Sequence, residues 1–354
     1  MSKARELHDG REDGLIPLES LDLDRVSSFA GLLRAMSRTA FGGRALGEAF
    51  NVTLAMARDP DCRTVLTLSG AMTIAKMGRI IAKMIDAGLV HAVVSTGALI
   101  AHGISEAIGL VHYRHDPSKS DEELYTRGYN RVYDTLEMED NLNDVEEFST
   151  RAFERLGEAT DLSSEIICRV IGELLAENPD SAGVLRSAYL AGVPVYIPAL
   201  TDSELGLDLA TWVMKKAQAR GVRSTADLLE ALPRFNAYLD LQSFARFALG
   251  SKRLGIFTVG GGVPRNWAQE IGPYIDIVNN QLGLDLAVPR YQYGVRLCPE
   301  PVYWGGLSGC TYSEGVSWGK FLPPTEGGRF AEVFADATMV WPLLIKAVLE
   351  ELGR

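Results

Sequence analysis

Two short apolar runs, CRTVLTL at 62–68 and LVHAVVS at 89–95, bracket a stretch whose apolar residues recur at helical period. Within AMTIAKMGRIIAKMIDAG (71–88), Ile74, Met77, Ile81 and Met84/Ile85 fall on one face, and Gly88 is placed to close the helix. After the second run, Thr96–Gly97 opens another helix that reaches about Ile108. Strand, helix, strand, helix within roughly 45 residues is the signature of a parallel α/β sheet, and it constrains the fold more than any other feature of the chain.

The remaining pattern extends that plan. Residues 1–20 are charged and read as an arm, and Leu21–Met56 has helical spacing around Phe29, Leu32, Leu33, Met36, Leu46 and Phe50, with a turn near Gly42–Gly43. DLSSEIICRVIGELLAE (161–177) predicts a helix capped by Asp161 or Ser163 and stopped at Asn178–Pro179–Asp180. A helix over 224–249 starts at a Ser224/Asp227 capping arrangement and bends or breaks near Pro233. Further strands are expected at 193–200, 253–259, 285–297 and 331–336, with a closing helix at 337–352. The architecture implied is a Rossmann-like, doubly wound, mainly parallel α/β sheet. An N-terminal arm and helical extension (1–56) precede a catalytic domain (57–354).

Composition narrows the partners. The 354 residues carry 35 Lys and Arg against 46 Asp and Glu, a net charge of −11. A phosphate backbone needs clustered cations, so nucleic acid is a poor partner, while polyamines or a basic protein suit an acidic surface. Cys62, Cys168, Cys298 and Cys310 form no CxxC pair, which points to reduced thiols in a cytoplasmic protein and to no metal site. The polar start MSKARELHDGREDG has no signal-peptide core, and no apolar run reaches the roughly 18 residues of a membrane span.

Ligands of open α/β sheets bind beyond the carboxyl ends of the strands. Small and polar residues recur there: Ser69–Gly70, Ser95–Thr96–Gly97, Thr201–Asp202, Gly260–Gly261–Gly262 and Asp336. Each is also an ordinary turn or cap residue, and no GxGxxG fingerprint is present; together they outline a crevice suited to a phosphate. The sharpest segment is SEGVSWGK (313–320). If it runs extended, Glu314, Val316, Trp318 and Lys320 share a face. A lysine desolvated against an indole can form an imine, with the carboxylate holding a cationic substrate; the plainer alternative is a surface lysine after a glycine turn.

The blocks GVSWGK, GGGV (260–263), PALTD (198–202), NRV (130–132) and VFADAT (333–338), in this order and spacing, resemble the deoxyhypusine synthase family from about residue 20 onward. The resemblance implies a Rossmann-like domain, assembled as a homotetramer of tight dimers with active sites at the dimer interface. It also implies NAD as cofactor and a polyamine substrate. NAD takes a hydride from spermidine, 1,3-diaminopropane leaves, and the butylamine unit passes to an enzyme lysine, which Lys320 matches. An acceptor amine then displaces that lysine and the stored hydride reduces the product. Residue by residue, Glu314 and Trp318 match substrate contacts, and Asp202 matches a carboxylate close to both NAD and substrate. Gly70, Ser95, Thr96, Gly97, Gly261, Gly262, Asp336 and Ala337 match cofactor contacts.

Departures from the family pattern concern the substrate. An acidic pair becomes Ala101–His102, a second Asp becomes Leu207, the Asp before the lysine block becomes Leu307, and Pro264–Arg265–Asn266–Trp267 stands where eukaryotic members have a His pair. His102 is placed either on the wall of a substrate tunnel or as a capped helix residue. Each lost charge-assisted hydrogen bond is worth roughly 1.5–3 kcal/mol, so the amine-binding geometry is altered. The GGGVP and GGLSG styles match a prokaryotic branch. The expected function is aminobutyl transfer to a small amine such as putrescine, as in homospermidine synthesis. The alternatives are modification of a lysine of translation initiation factor 5A, or a non-catalytic NAD- or polyamine-binding protein.

Overall fold

The computed structural model describes residue 5 and residues 7–354. Nine strands are found among them: β1 Cys62–Leu68, β2 Ala92–Val94, β3 Tyr113–Arg114, β4 Tyr129–Val132, β5 Thr135–Met138, β6 Val195–Tyr196, β7 Arg253–Val259, β8 Tyr291–Leu297 and β9 Arg329–Val333. Six form one sheet in the order β6-β2-β1-β7-β8-β9, and every pairing in it is parallel. The chain winds outward from β1 through β2 to β6, then returns beside β1 as β7 and winds the other way. The order therefore reverses between β1 and β7, which is where a doubly wound sheet opens a crevice.

The side-chain alternation of the strands explains the two helical layers. Val65, Ala92, Val94, Leu254 and Ile256 point into one core with Phe244, Ala268, Ile275 and Tyr312. Leu66, Leu68, Val93, Phe257 and Val259 point into the other with Phe50, Ile81, Ile104 and Trp341. Helices Phe29–Met36 and Phe41–Arg58 contribute Leu33, Leu46 and Phe50 to that second core, so the N-terminal helices pack as part of the same layer.

Local rules shift several predicted boundaries. The helix expected over 71–88 starts only at Gly78 and runs to Asp86. Lys76 has φ +63°, which an α-helix does not accept, and the buried Thr73 hydroxyl donates to the Leu99 carbonyl at 2.7 Å. The first helix ends at Met36 and the second begins at Phe41, so the turn lies at 37–40 and Gly42–Gly43 sit inside the second helix. The Thr39 hydroxyl, donating to Met36 O at 2.7 Å, helps to close it. The strand expected at 193–200 is only Val195–Tyr196, because Pro194 and Pro198 offer no N–H. Pro233 breaks its segment into Thr225–Leu229 and Ala237–Leu249. The strands expected at 285–297 and 331–336 are Tyr291–Leu297 and Arg329–Val333.

The antiparallel sheet β3-β5-β4 was not foreseen. Its hairpin turns at Tyr133–Asp134, with φ +53° at Tyr133, a position where sequence patterns look for Asn or Gly. Among the described residues no helix is long and apolar enough to cross a membrane.

Candidate active site

The segment around Lys320 is not extended. Thr311 caps a helix over Tyr312–Ser317, its hydroxyl accepting from Glu314 N at 3.1 Å. Glu314 and Trp318 therefore align through the helical repeat, one turn apart, rather than through a two-residue period. Gly319, at φ +69°, turns the chain where a side chain would be strained, and Lys320 follows. Its carbonyl accepts from Tyr291 N at 2.9 Å, which pins the lysine beside the first residue of β8.

Lys320 is buried at 8% exposure, the only buried lysine among the described residues. Its ammonium donates to Glu270 Oε1 at 2.8 Å and Asn266 Oδ1 at 3.1 Å, and lies 5.8 Å from the Trp318 ring centroid. Glu270, absent from the predicted set, is the carboxylate nearest the amine; Asn266 and Glu270 are four residues apart on and just past the helix Gly262–Gln269. That helix spacing was the signal that could have found them. The cavity holds about 250 Å³ and is also bordered by Glu314, Trp318 and Cys310. Burial, and then the Glu314 carboxylate, raises the Cys310 thiol above its ordinary range, so at neutral pH it stays protonated. A larger hollow of about 510 Å³, between Phe148 and Leu174, contains none of these groups, so size alone does not pick out the site.

The strand-end crevice lies beyond β1, β2 and β7. Ser69 Oγ accepts from Gly261 N at 3.0 Å, and the Thr96 hydroxyl donates to Gly70 O at 2.7 Å while capping the helix Gly97–Ala107. Gly97 packs on Ser203, where a Cβ would stand 2.0 Å from the Ser203 hydroxyl, and this brings the exposed Asp202 beside Thr96. Ser95, 1% exposed, has a hydroxyl with no partner. Gly261 joins crevice to cavity, since a Cβ there would lie 2.5 Å from Ser308 Cα in the segment roofing the cavity. Asp336 stands apart, beyond β9 at the sheet edge, and its carboxylate accepts from Thr338 N at 2.9 Å as the cap of Ala337–Leu352.

The deoxyhypusine synthase family model matches residues 31–348. This chain belongs to the deoxyhypusine synthase family. It is 32% identical to "Probable deoxyhypusine synthase 2" of Methanosarcina mazei, over 95% of this chain and 90% of that one. It is 30% identical to the protein of the same name from Archaeoglobus fulgidus, over 89% and 96% of the two chains. A bacterial "Deoxyhypusine synthase-like protein" from Chlorobaculum parvum is 27% identical over 88% of this chain and 84% of its own length. The fold is similar to a solved structure from Entamoeba histolytica described as a deoxyhypusine synthase, with TM-score 0.56 at 16% identity over 93% and 96% of the chains.

Within this deoxyhypusine synthase family member, His102 is not on the wall of the Lys320 cavity. Its Nδ1 contacts the buried Glu137 of β5, whose other oxygen lies 3.1 Å from His112 Nε2 and accepts from Ser105 Oγ at 2.8 Å. The three groups fall within 4.8 Å of one another, a spacing that a metal also requires. The Lys76 ammonium, 2.6 Å from His112 Nδ1, decides between the two: it donates to Nδ1 and so puts the imidazole proton on Nε2, facing Glu137. That favours an ion-paired network over metal ligation. Burial by itself would raise the Glu137 pKa, but the hydrogen bonds of His102, His112 and Ser105 outweigh it and hold the carboxyl well below its usual range.

Proposed function

We propose that this chain is an NAD-dependent aminobutyl transferase that carries the 4-aminobutyl group of spermidine, or a related polyamine, as an imine on Lys320 and delivers it to a small acceptor amine such as putrescine. The observation that carries this reading is the buried Lys320 amine, 2.8 Å from a carboxylate in a cavity of about 250 Å³. Glu270 takes the proton that Lys320 must lose to become a nucleophile. Glu314 and the Trp318 ring hold the substrate ammonium by charge and cation–π attraction. On a donor carbon already oxidised to the imine level, Lys320 adds to that carbon, its bond to the donor nitrogen breaks and the diamine leaves. The acceptor amine later exchanges with Lys320 in the same way, Glu270 moving the proton each time, and the new imine is then reduced.

The crevice fits a dinucleotide. The partnerless Ser95 hydroxyl, the Thr96 hydroxyl, the exposed Asp202 and the helix that starts without a side-chain cap at Gly261–Gly262 offer it donors and acceptors. Gly70 and Gly97 allow close approach, whereas Asp336–Ala337 stand apart at the sheet edge. NAD, when bound there, supplies the two-electron acceptor and donor of the reaction. The exposed Tyr303, Trp304 and Trp318 near the cavity mouth support burial by a second copy, as in a homotetramer of dimers.

A second reading, transfer to a lysine of translation initiation factor 5A, is favoured by the names of the archaeal relatives. Incubation with NAD and spermidine is expected to release 1,3-diaminopropane, and borohydride to trap an adduct that Lys320→Ala abolishes. Absence of both from the wild-type protein overturns the transferase reading. Parallel reactions with putrescine and with factor 5A separate the two acceptors.

A further inference from the structure

Behind Lys320 the polar groups do not balance. Arg265 and Gln269 sit four residues apart on the helix Gly262–Gln269, both face the Lys320 cavity, and they are only 2% and 5% exposed. Neither Arg265 Nε nor Gln269 Nε2 has a hydrogen-bond partner, and Arg265 forms no ion pair among the described residues. The nearby carboxylate that might neutralise it, Glu332, is already committed. One oxygen of Glu332 binds the buried Arg296, and the other accepts from Tyr312 N at 2.8 Å. The one carboxylate near the two guanidinium groups is thus spent on Arg296. The Arg265 guanidinium is held 5.3 Å over the Tyr312 ring, and burial pushes its pKa down.

A buried cation without a partner is costly, and a planar guanidinium beside a carboxamide donor is the pairing that receives a carboxylate. The same cavity offers carboxylates, Glu270 and Glu314, for a cationic group. We propose that Arg265 and Gln269 form a carboxylate-binding subsite of the Lys320 cavity, so that the acceptor amine that docks there after the donor polyamine has left belongs to the amino-carboxylates, with putrescine the weaker acceptor. This rests on the reading of Lys320 as the amine-transfer residue and narrows its substrate class. The cavity, at about 250 Å³, is smaller than the usual ligand pocket and suits a short molecule.

L-Ornithine and putrescine differ only by the α-carboxylate, and both can be titrated calorimetrically into the NAD-loaded protein. Ornithine is expected to bind at least about tenfold tighter, because its carboxylate satisfies donors that putrescine leaves unpaired. Arg265→Met should erase that preference while holding putrescine within about threefold, and Gln269→Leu should reduce it partially. With no ligand present, R265M should melt above the wild type, since an unpaired buried charge has been removed. The proposal is overturned if ornithine shows no preference, if the preference survives in R265M, or if R265M melts lower. It is equally overturned if R265M weakens NAD and leaves ornithine unchanged, which would assign the oxyanion to a cofactor phosphate. Arg265-dependent ornithine binding without a spermidine adduct on Lys320 would sink the transferase reading and leave the subsite standing; the reverse pattern would do the opposite.

Discussion

The Lys320 cavity and the His102–Glu137 cluster both bury charge, and they resolve it differently. Around Glu137 each strong group meets another: Lys76 donates to His112, His112 faces Glu137, and Ser105 and His102 complete the carboxylate. Around Lys320 the amine is paired with Glu270, yet Arg265 Nε and Gln269 Nε2 have no hydrogen-bond partner and Trp318 stands 65% exposed. The lesson concerns where to look for function. Where opposite charges meet, burial serves the structure, whereas a buried cation with no counter-charge offers a place for an anion.

Breaking the closed network should cost the most. Glu137→Gln leaves two imidazoles without their anion, and a loss of about 3–5 kcal/mol is expected in urea unfolding at pH 7. Because the folded pKa of Glu137 is depressed, its contribution is present above the unfolded carboxyl pKa and fades as pH falls through the folded value. Stability of the wild type should therefore drop below about pH 4 more steeply than that of the variant. An unchanged midpoint for Glu137→Gln would mean that the cluster is not the closed network described here.

The open site should answer in activity rather than stability. Glu270→Gln removes the proton acceptor 2.8 Å from Lys320, and adduct formation should slow about a hundredfold, close to 3 kcal/mol of barrier, with little change in melting temperature. A variant that unfolds early, or one that transfers at the wild-type rate, would place Glu270 outside the chemistry.

Asp208 tests the same contrast on a smaller scale, as a buried carboxylate whose Oδ2 has no partner. Burial, with Glu146 and Glu204 nearby, raises its pKa to about 7. The unfolded chain releases this proton near pH 4 and the folded chain near pH 7, so stability falls as pH rises between them. Asp208→Asn should gain about 2 kcal/mol at pH 8 and nothing at pH 4, measured as the difference between the two unfolding curves. A gain that is equal at both pH values would exclude titration as the cause.

Much of this was legible in the chain itself. The strands at 62–68 and 253–259, the parallel α/β plan, the small residues at strand ends and the importance of Lys320 follow from periodicity, from turn chemistry and from blocks shared with a family. These are local signals, carried by neighbours in sequence. The hairpin at 133–134 lacked its usual turn residues and stayed hidden. His102 read as a wall of the substrate tunnel because nothing in its own helix announces Glu137 and His112, which arrive from other elements.

What the sequence determined alone was the order of the main parallel strands and the helices between them, since these depend on residues within a turn or two of each other. Tertiary structure decided which charges are spent and which are spare. Whether Glu270 reaches Lys320, whether Glu332 is left for Arg265, and whether Glu137 is enclosed all turn on distances between segments tens of residues apart in the chain. Charge pairing falls off within a few ångströms, so only the folded chain settles it.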